Sequence, residues 1–245
     1  MAVVRAELTK IWTVRSTLAA LGIAVVGSIG VGVLGSASAR SAIDRKSAML
    51  RPDFNPLDAG FVGVQVGQLA LIAFAVLLVC GEYGSGMIRT SLAAVPDRGL
   101  FYLAKVAAAG AVAVVVAVPT AFVSFLASQR ALGPYGVGLG SPGALRAVVG
   151  ACFYLTLMCL FSVGVATVLR STALALSLLF AFVLSPVANI VPALRSAARY
   201  LPDHAGAEVM KAHPSLSPAT GLLILAAWAA AALLGGYLVL RGRDC

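Results

Sequence analysis

The chain of 245 residues is 60% hydrophobic and only 11% charged, with a mean hydropathy of +0.99, whereas soluble domains carry about 25% charged residues. That composition excludes an ordinary soluble domain, and the natural unit of division becomes the roughly 20 apolar residues an α-helix needs to cross a bilayer. The net charge of +9 does not point to nucleic acid, because the basic residues are spread among short connections instead of being clustered on one face.

The amino terminus carries Arg5, Lys10 and Arg15 ahead of an apolar run that closes on Ala37, Ser38 and Ala39, an arrangement that imitates a signal peptide. The run from Leu18 to Leu34 exceeds the usual signal core of about 7–15 residues. Val4, Leu8 and Ile11 recur at helical spacing before it, with Trp12 alongside. An interfacial helix leading into a retained span accounts for both features.

Six spans follow from hydropathy: Thr17 to Ser38, Ala59 to Cys80, Leu100 to Ala127, Ala144 to Leu169, Ala173 to Val191 and Ala219 to Leu240. They form one all-α, polytopic transmembrane domain over residues 1–245, with both termini on one side of the membrane. The 18 Lys and Arg residues divide nine and nine between the two sides, so the positive-inside rule leaves the orientation open.

In the first span Ala20, Ala24, Ser28, Gly32 and Ser36 place small side chains on one face, which predicts close helix packing. Gly63 and Gly67 repeat the pattern in the second span, where Gln65 and Gln68 add two amides at depth. Such amides act as interhelical glue or line a translocation path, and glue is the simpler reading. Ala24, Ser28, Gly32, Gln65 and Gln68 are the candidates for a dimer surface or path. Pro119 in the third span and Pro186 with Asn189 in the fifth are expected kinks. Ala193 to Arg199 forms either a short external helical element or a plain loop.

Catalytic chemistry finds little support. The four lysines follow Thr9, Arg45, Ala104 and Met210, so no Gly-Lys-Ser or Gly-Lys-Thr phosphate loop exists. His204 and His213 share one polar connection, and the cysteines at 80, 152, 159 and 245 have no ligand spacing, so no metal site is expected. Gly84-Ser85-Gly86 weakly echoes an intramembrane serine protease, but both histidines fall on the other side in this topology.

The connection from Gly81 to Val106 is the informative segment. Met87, Ile88, Ser91, Leu92 and Val95 fall on one face at helical spacing, describing a short amphipathic helix at residues 85–95, bounded by Gly84 and Gly86 before and Pro96 and Asp97 after. Glu82 sits where the span leaves the hydrocarbon and needs a cation, for which Arg89 and Arg98 are nearby.

Across Glu82, Tyr83, Gly86, Ile88, Arg89, Leu92, Pro96, Arg98 and Lys105, the chain resembles the ABC transporter type 2 permeases in their bacterial six-helix form. The family often has a threonine directly after the glycine, where this chain has Met87. Further landmarks are Glu7 to Lys10, Pro142 to Arg146, Leu169 to Thr172, Leu201 to Asp203, Leu216 to Pro218 and Arg243-Asp244. The resemblance implies a bacterial plasma-membrane permease with cytoplasmic termini, an interfacial helix from Val3 to Val14, and a coupling helix near residues 85–95 seated in a separate ATP-binding subunit. It also implies two permeases, identical or related, with two ATPases that hold ATP and Mg, while this chain binds no cofactor and is a transport subunit, not an enzyme, without its own nucleotide-hydrolysing site. Drug, lipid, peptide and sodium exporters share these landmarks, so the substrate stays open. A secondary carrier or channel working without an ATPase is the alternative.

Overall fold

The computed structural model describes residues 2–46, 54–94, 97–184 and 199–242; the side chains of Arg89, Leu92, Ala93, Ala94 and Leu184 also lie outside the description. No strand occurs among the described residues. The helices are α1 (Ala2–Thr13), α2 (Arg15–Asp44), α3 (Pro56–Ala59), α4 (Val62–Gly84), α5 (Met87–Ala94), α6 (Arg98–Leu132), α7 (Ala144–Leu169), α8 (Thr172–Leu184), α9 (Pro202–Ala207) and α10 (Pro218–Gly242).

Five segments are long and apolar enough to cross a membrane: α2, α3 with α4, α6, α7 and α10. Each contains the corresponding predicted span, and the fourth coincides with it from Ala144 to Leu169. The predicted fifth span begins as α8, but 185–191 lies outside the described residues, as do Pro186, Asn189 and 193–198 of the expected external element. The protein is thus a polytopic α-helical membrane protein. Its amino-terminal end gathers α1, α5, the start of α6 and the ends of α4, α7 and α10; the far end gathers α3, α9 and the start of α10.

Local sequence sets the boundaries. Asn55 caps α3 by accepting from the Leu57 amide at 2.9 Å, with Pro56 in the first turn where its missing N–H costs nothing. Asp97 Oδ1 caps α6, accepting from the amides of Gly99 and Leu100 at 2.9 and 3.0 Å. α7 ends where Arg170 turns left-handed at φ 54° and its amide donates to the Ala166 carbonyl. α6 runs unbroken through Pro119, beside which the Thr120 hydroxyl donates to the Val116 carbonyl at 2.7 Å.

Helices α4 and α7 form the centre, with 67% and 61% of their most apolar stretches buried, against 28% for α2 and 17% for α10. The layout follows the small residues. Ala20, Ala24, Ser28, Gly32 and Ser36 are all buried, and their partners are α4 and α6 of the same chain. A Cβ on Gly32 would meet the hydroxyls of Ser124 and Ser128, and one on Gly63 would strike the Ser28 carbonyl. Gly164 of α7 likewise lies against the Ala232 backbone of α10. Close approach at these seams replaces a hydrophobic driving force that lipid does not supply.

Candidate functional site

At the amino-terminal end four ionisable side chains from three helices close into one cluster. Glu7 and Lys10 sit three residues apart on α1, Glu82 ends α4, and Lys105 lies two turns into α6. Lys10 Nζ donates to Glu7 Oε1 at 2.7 Å, to Glu82 Oε1 at 2.9 Å and to Ser91 Oγ of α5 at 3.2 Å, using all three ammonium hydrogens. Lys105 Nζ donates to Glu7 Oε2 at 2.8 Å and pairs with Glu82 Oε1 at 2.9 Å, with the Phe101 ring centroid 5.2 Å away. Two positive and two negative charges cancel, which is the condition for holding them at 2% (Glu7), 6% (Glu82) and 3% (Lys105) exposure.

These partners correct one expectation. Among the described side chains the cations on Glu82 are Lys10 and Lys105, the Arg89 side chain lying outside the described residues; the Arg98 guanidinium donates to the Leu240 carbonyl at 3.2 Å, at the end of α10. That position suits a cation, because the last carbonyls of a helix have no partner within it.

Electrostatics hold α1 in this place. Burial by itself would raise the Glu7 carboxyl, but Lys105 and Lys10 together hold it below its ordinary value of 4.5. Burial by itself would lower Lys10, but the bonds to Glu7 and Glu82 hold it above its ordinary 10.5. Ile11 is fully buried one turn on, while Trp12 is exposed. Thr17 Oγ1 donates across the corner between α1 and α2 to the carbonyls of Ile11 and Val14.

Helix α5 is seated on this cluster by Ser91 and by Ile88, which is 6% exposed and packs with Phe101, Tyr102 and Leu240. Its described apolar side therefore meets this chain itself. Met87 and Thr90 are exposed, together with Gly84, Ser85 and Gly86. Gly86 holds φ +71°, a conformation that turns α4 into α5 and favours glycine. Tyr83 stacks beneath the Arg170 guanidinium, 5.3 Å from the ring centroid. The remaining expected residue, Pro96, lies outside the described residues. A small pocket beside the cluster is lined in part by Glu82, Tyr83, Tyr102, Lys105 and Thr167. Glu82 Oε2 is buried and has no hydrogen-bond partner among the described residues.

The candidates for a dimer surface or path separate into two groups. Ala24, Ser28 and Gly32 are consumed by the seam within one chain, and Gln68 is 1% exposed, whereas Gln65 is exposed on the outer side of α4. Gln68 belongs to a second network near the far end, where Gln68 Nε2 lies 2.7 Å from Asp203 Oδ1 and the Tyr154 hydroxyl lies 2.7 Å from Gln68 Oε1. Ser85 and His204 stand at opposite ends of the bundle, Ser85 donating to the Gly81 carbonyl. Among the described residues no three His, Cys, Asp or Glu side chains converge.

The chain matches no family model and no curated protein.

Proposed function

We propose that the chain is the membrane-spanning permease subunit of an ATP-binding cassette exporter in a bacterial plasma membrane, driven by ATP hydrolysed on a separate soluble subunit. One observation carries this reading: α5 is a short surface helix fixed to three other helices through a closed ion cluster, with its outer side exposed. Such a helix is built to receive a push from outside and pass it to α1, α4 and α6. The two lysines and two glutamates make the seat stiff, since displacing any one member strands a buried charge.

In this reading the ATPase meets Met87, Thr90 and the turn from Gly84 to Gly86, with Arg89, Leu92, Pro96 and Arg98 flanking the contact. Ile88, Ser91, Glu82 and Lys105 bind the helix inward and transmit its movement. Two ATPase copies, each with ATP and Mg, would engage two permease copies. The exposed Gln65 amide supports the second copy, because an amide facing lipid is costly unless another helix covers it. The six crossings, the cytoplasmic termini and the outward direction of transport belong to the same proposal.

The test is co-purification from mild detergent with the soluble phosphate-loop ATPase encoded beside this chain. The wild type is expected to bring the ATPase down, and a Met87→Glu, Thr90→Glu variant to lose it while folding normally, because both residues are exposed. A wild type that purifies alone and moves solute in vesicles without ATP would replace this reading with the carrier.

A further inference from the structure

Helix α1 has two unlike sides. Glu7, Leu8 and Ile11 turn inward at helical spacing, Glu7 and Ile11 being buried and Leu8 packed against the core. Arg5, Thr9 and Trp12 recur four and then three residues apart on the other side and are exposed, and Val14, Arg15 and Ser16 continue the exposed surface round the corner into α2.

The ion cluster engages the one carboxylate and the one lysine of α1, so the surface left outside is basic. The Arg5 and Arg15 side chains make no hydrogen bond or ion pair among the described residues, and no acidic residue other than Glu7 precedes Asp44. Two apolar groups share this surface, Trp12 at 62% exposure and Val14 at 45%. In water they would be a liability, whereas an indole is favoured where hydrocarbon meets headgroups.

The length of α2 puts that boundary here. Its 30 residues extend ~45 Å, the depth of a bilayer together with its headgroup layers. Its exposed side then carries Ile23, Val26, Val31 and Leu34 toward lipid. The first turn, with Arg15, therefore stands among headgroups, and the corner bearing Trp12 and Val14 adjoins it.

We propose that this face of α1 binds anionic phospholipid, with the Arg5 and Arg15 guanidinium groups on lipid phosphates and the Trp12 indole at the top of the acyl chains. A guanidinium matches a phosphate through paired N–H donors, and basic side chains beside an anionic bilayer surface are drawn to it. The Glu7 and Lys10 anchor fixes α1 against α4 and α6, so the face is presented ready-made and little ordering is needed on binding. An acidic soluble partner would also answer the arginines, but not the exposed indole and valine that run on into the lipid-facing side of α2. The inference is independent of any ATPase.

The experiment uses the full-length Trp228→Phe chain, in which Trp12 is the single tryptophan. It is placed in mixed vesicles where either phosphatidylglycerol or phosphatidylcholine carries bromine near the top of its acyl chains, which quenches a tryptophan that it touches. Both lipids are expected to quench Trp12, phosphatidylglycerol about fivefold more effectively at equal fraction and low salt, with a preference that falls as salt is added. Arg5→Gln with Arg15→Gln should equalise the two lipids while quenching by phosphatidylcholine persists, the sign that α1 is still seated. Arg5→Lys with Arg15→Lys should keep most of the preference, because the charge is kept. Quenching of Trp12 by neither lipid would assign the face to water or a soluble partner and overturn the proposal. Equal quenching with both arginines in place, or a preference that survives the glutamine pair, would overturn it as well.

Discussion

The two ends of the bundle solve the same problem with different chemistry. At the amino-terminal end the carboxylates of Glu7 and Glu82 pair with the ammonium groups of Lys10 and Lys105, while near the far end Gln68, Tyr154 and Asp203 meet through hydrogen bonds with no cation among their described partners. A closed set of opposite charges resists displacement in every direction, because removing any member leaves a charge buried alone. A hydrogen-bonded set is held by smaller increments. The stiff end is the one that carries α5, and the end joined by hydrogen bonds is the one that carries α9.

Neutralisation should expose this contrast most strongly. Lys105→Met leaves two buried carboxylates facing one ammonium and is expected to cost about 3–5 kcal/mol, measured by denaturant titration of helix content in detergent. Adding Glu7→Gln restores neutrality and should recover much of that loss. Asp203→Asn is expected to cost less than about 1 kcal/mol in the same assay. Equal costs at the two ends would break the comparison.

Acid and alkali sharpen it further. Glu7 is depressed below 4.5, so its contribution is present above that value and is lost as pH falls through its lower folded value. Lys10 is raised above 10.5, so its contribution is complete below that value and is lost as pH rises through its higher folded value. The amino-terminal end should therefore stay closed between about 4.5 and about 10.5. The two tryptophans report the two sides separately: fluorescence of Trp12 in a Trp228→Phe variant should stay constant across that window. A Trp12 transition near neutral pH would contradict the ion cluster.

Smaller effects test the supports. Gly63→Ala pushes a methyl group against the Ser28 carbonyl and is expected to cost about 1–3 kcal/mol by separating α2 from α4. Gly86→Ala has open space around its Cβ but must hold φ +71°, for about 1 kcal/mol. Both are read in the same denaturant titration, and a neutral Gly63→Ala would remove the seam as a source of stability.

How much of this was legible in the sequence follows the range of the interactions. Hydropathy and turn residues are local, so Ala144 and Leu169 bound both the expected span and the observed helix, and the α5 helix emerged between Gly86 and Pro96. The face from Ala20 to Ser36 announced close packing, but periodicity does not say which helix fills it, and the partners proved to be α4 and α6 of the same chain. Glu82 visibly needed a cation, yet Arg98, one of its nearest in sequence, turns instead to the end of α10, and the Arg89 side chain lies outside the described residues. Lys10 is 72 residues away from Glu82 in sequence and is delivered only when α1 folds back beneath the bundle. The pairing of Glu7 with Lys10 at helical spacing, beside the apolar Ile11, was the available signal. Gln68 gave no hint of Asp203, which lies 135 residues further on.

The claim that α5 is the ATPase seat is tested most directly by site-specific cross-linking. With the four native cysteines replaced, a single cysteine is placed at Thr90 on the exposed side of α5, or at Gly140 on the exposed far end, in membranes that co-express the neighbouring ATPase. The account predicts a cross-link to the ATPase from position 90 and none from position 140. A cross-link from 140 alone, or none from 90 while the ATPase is present, would contradict it.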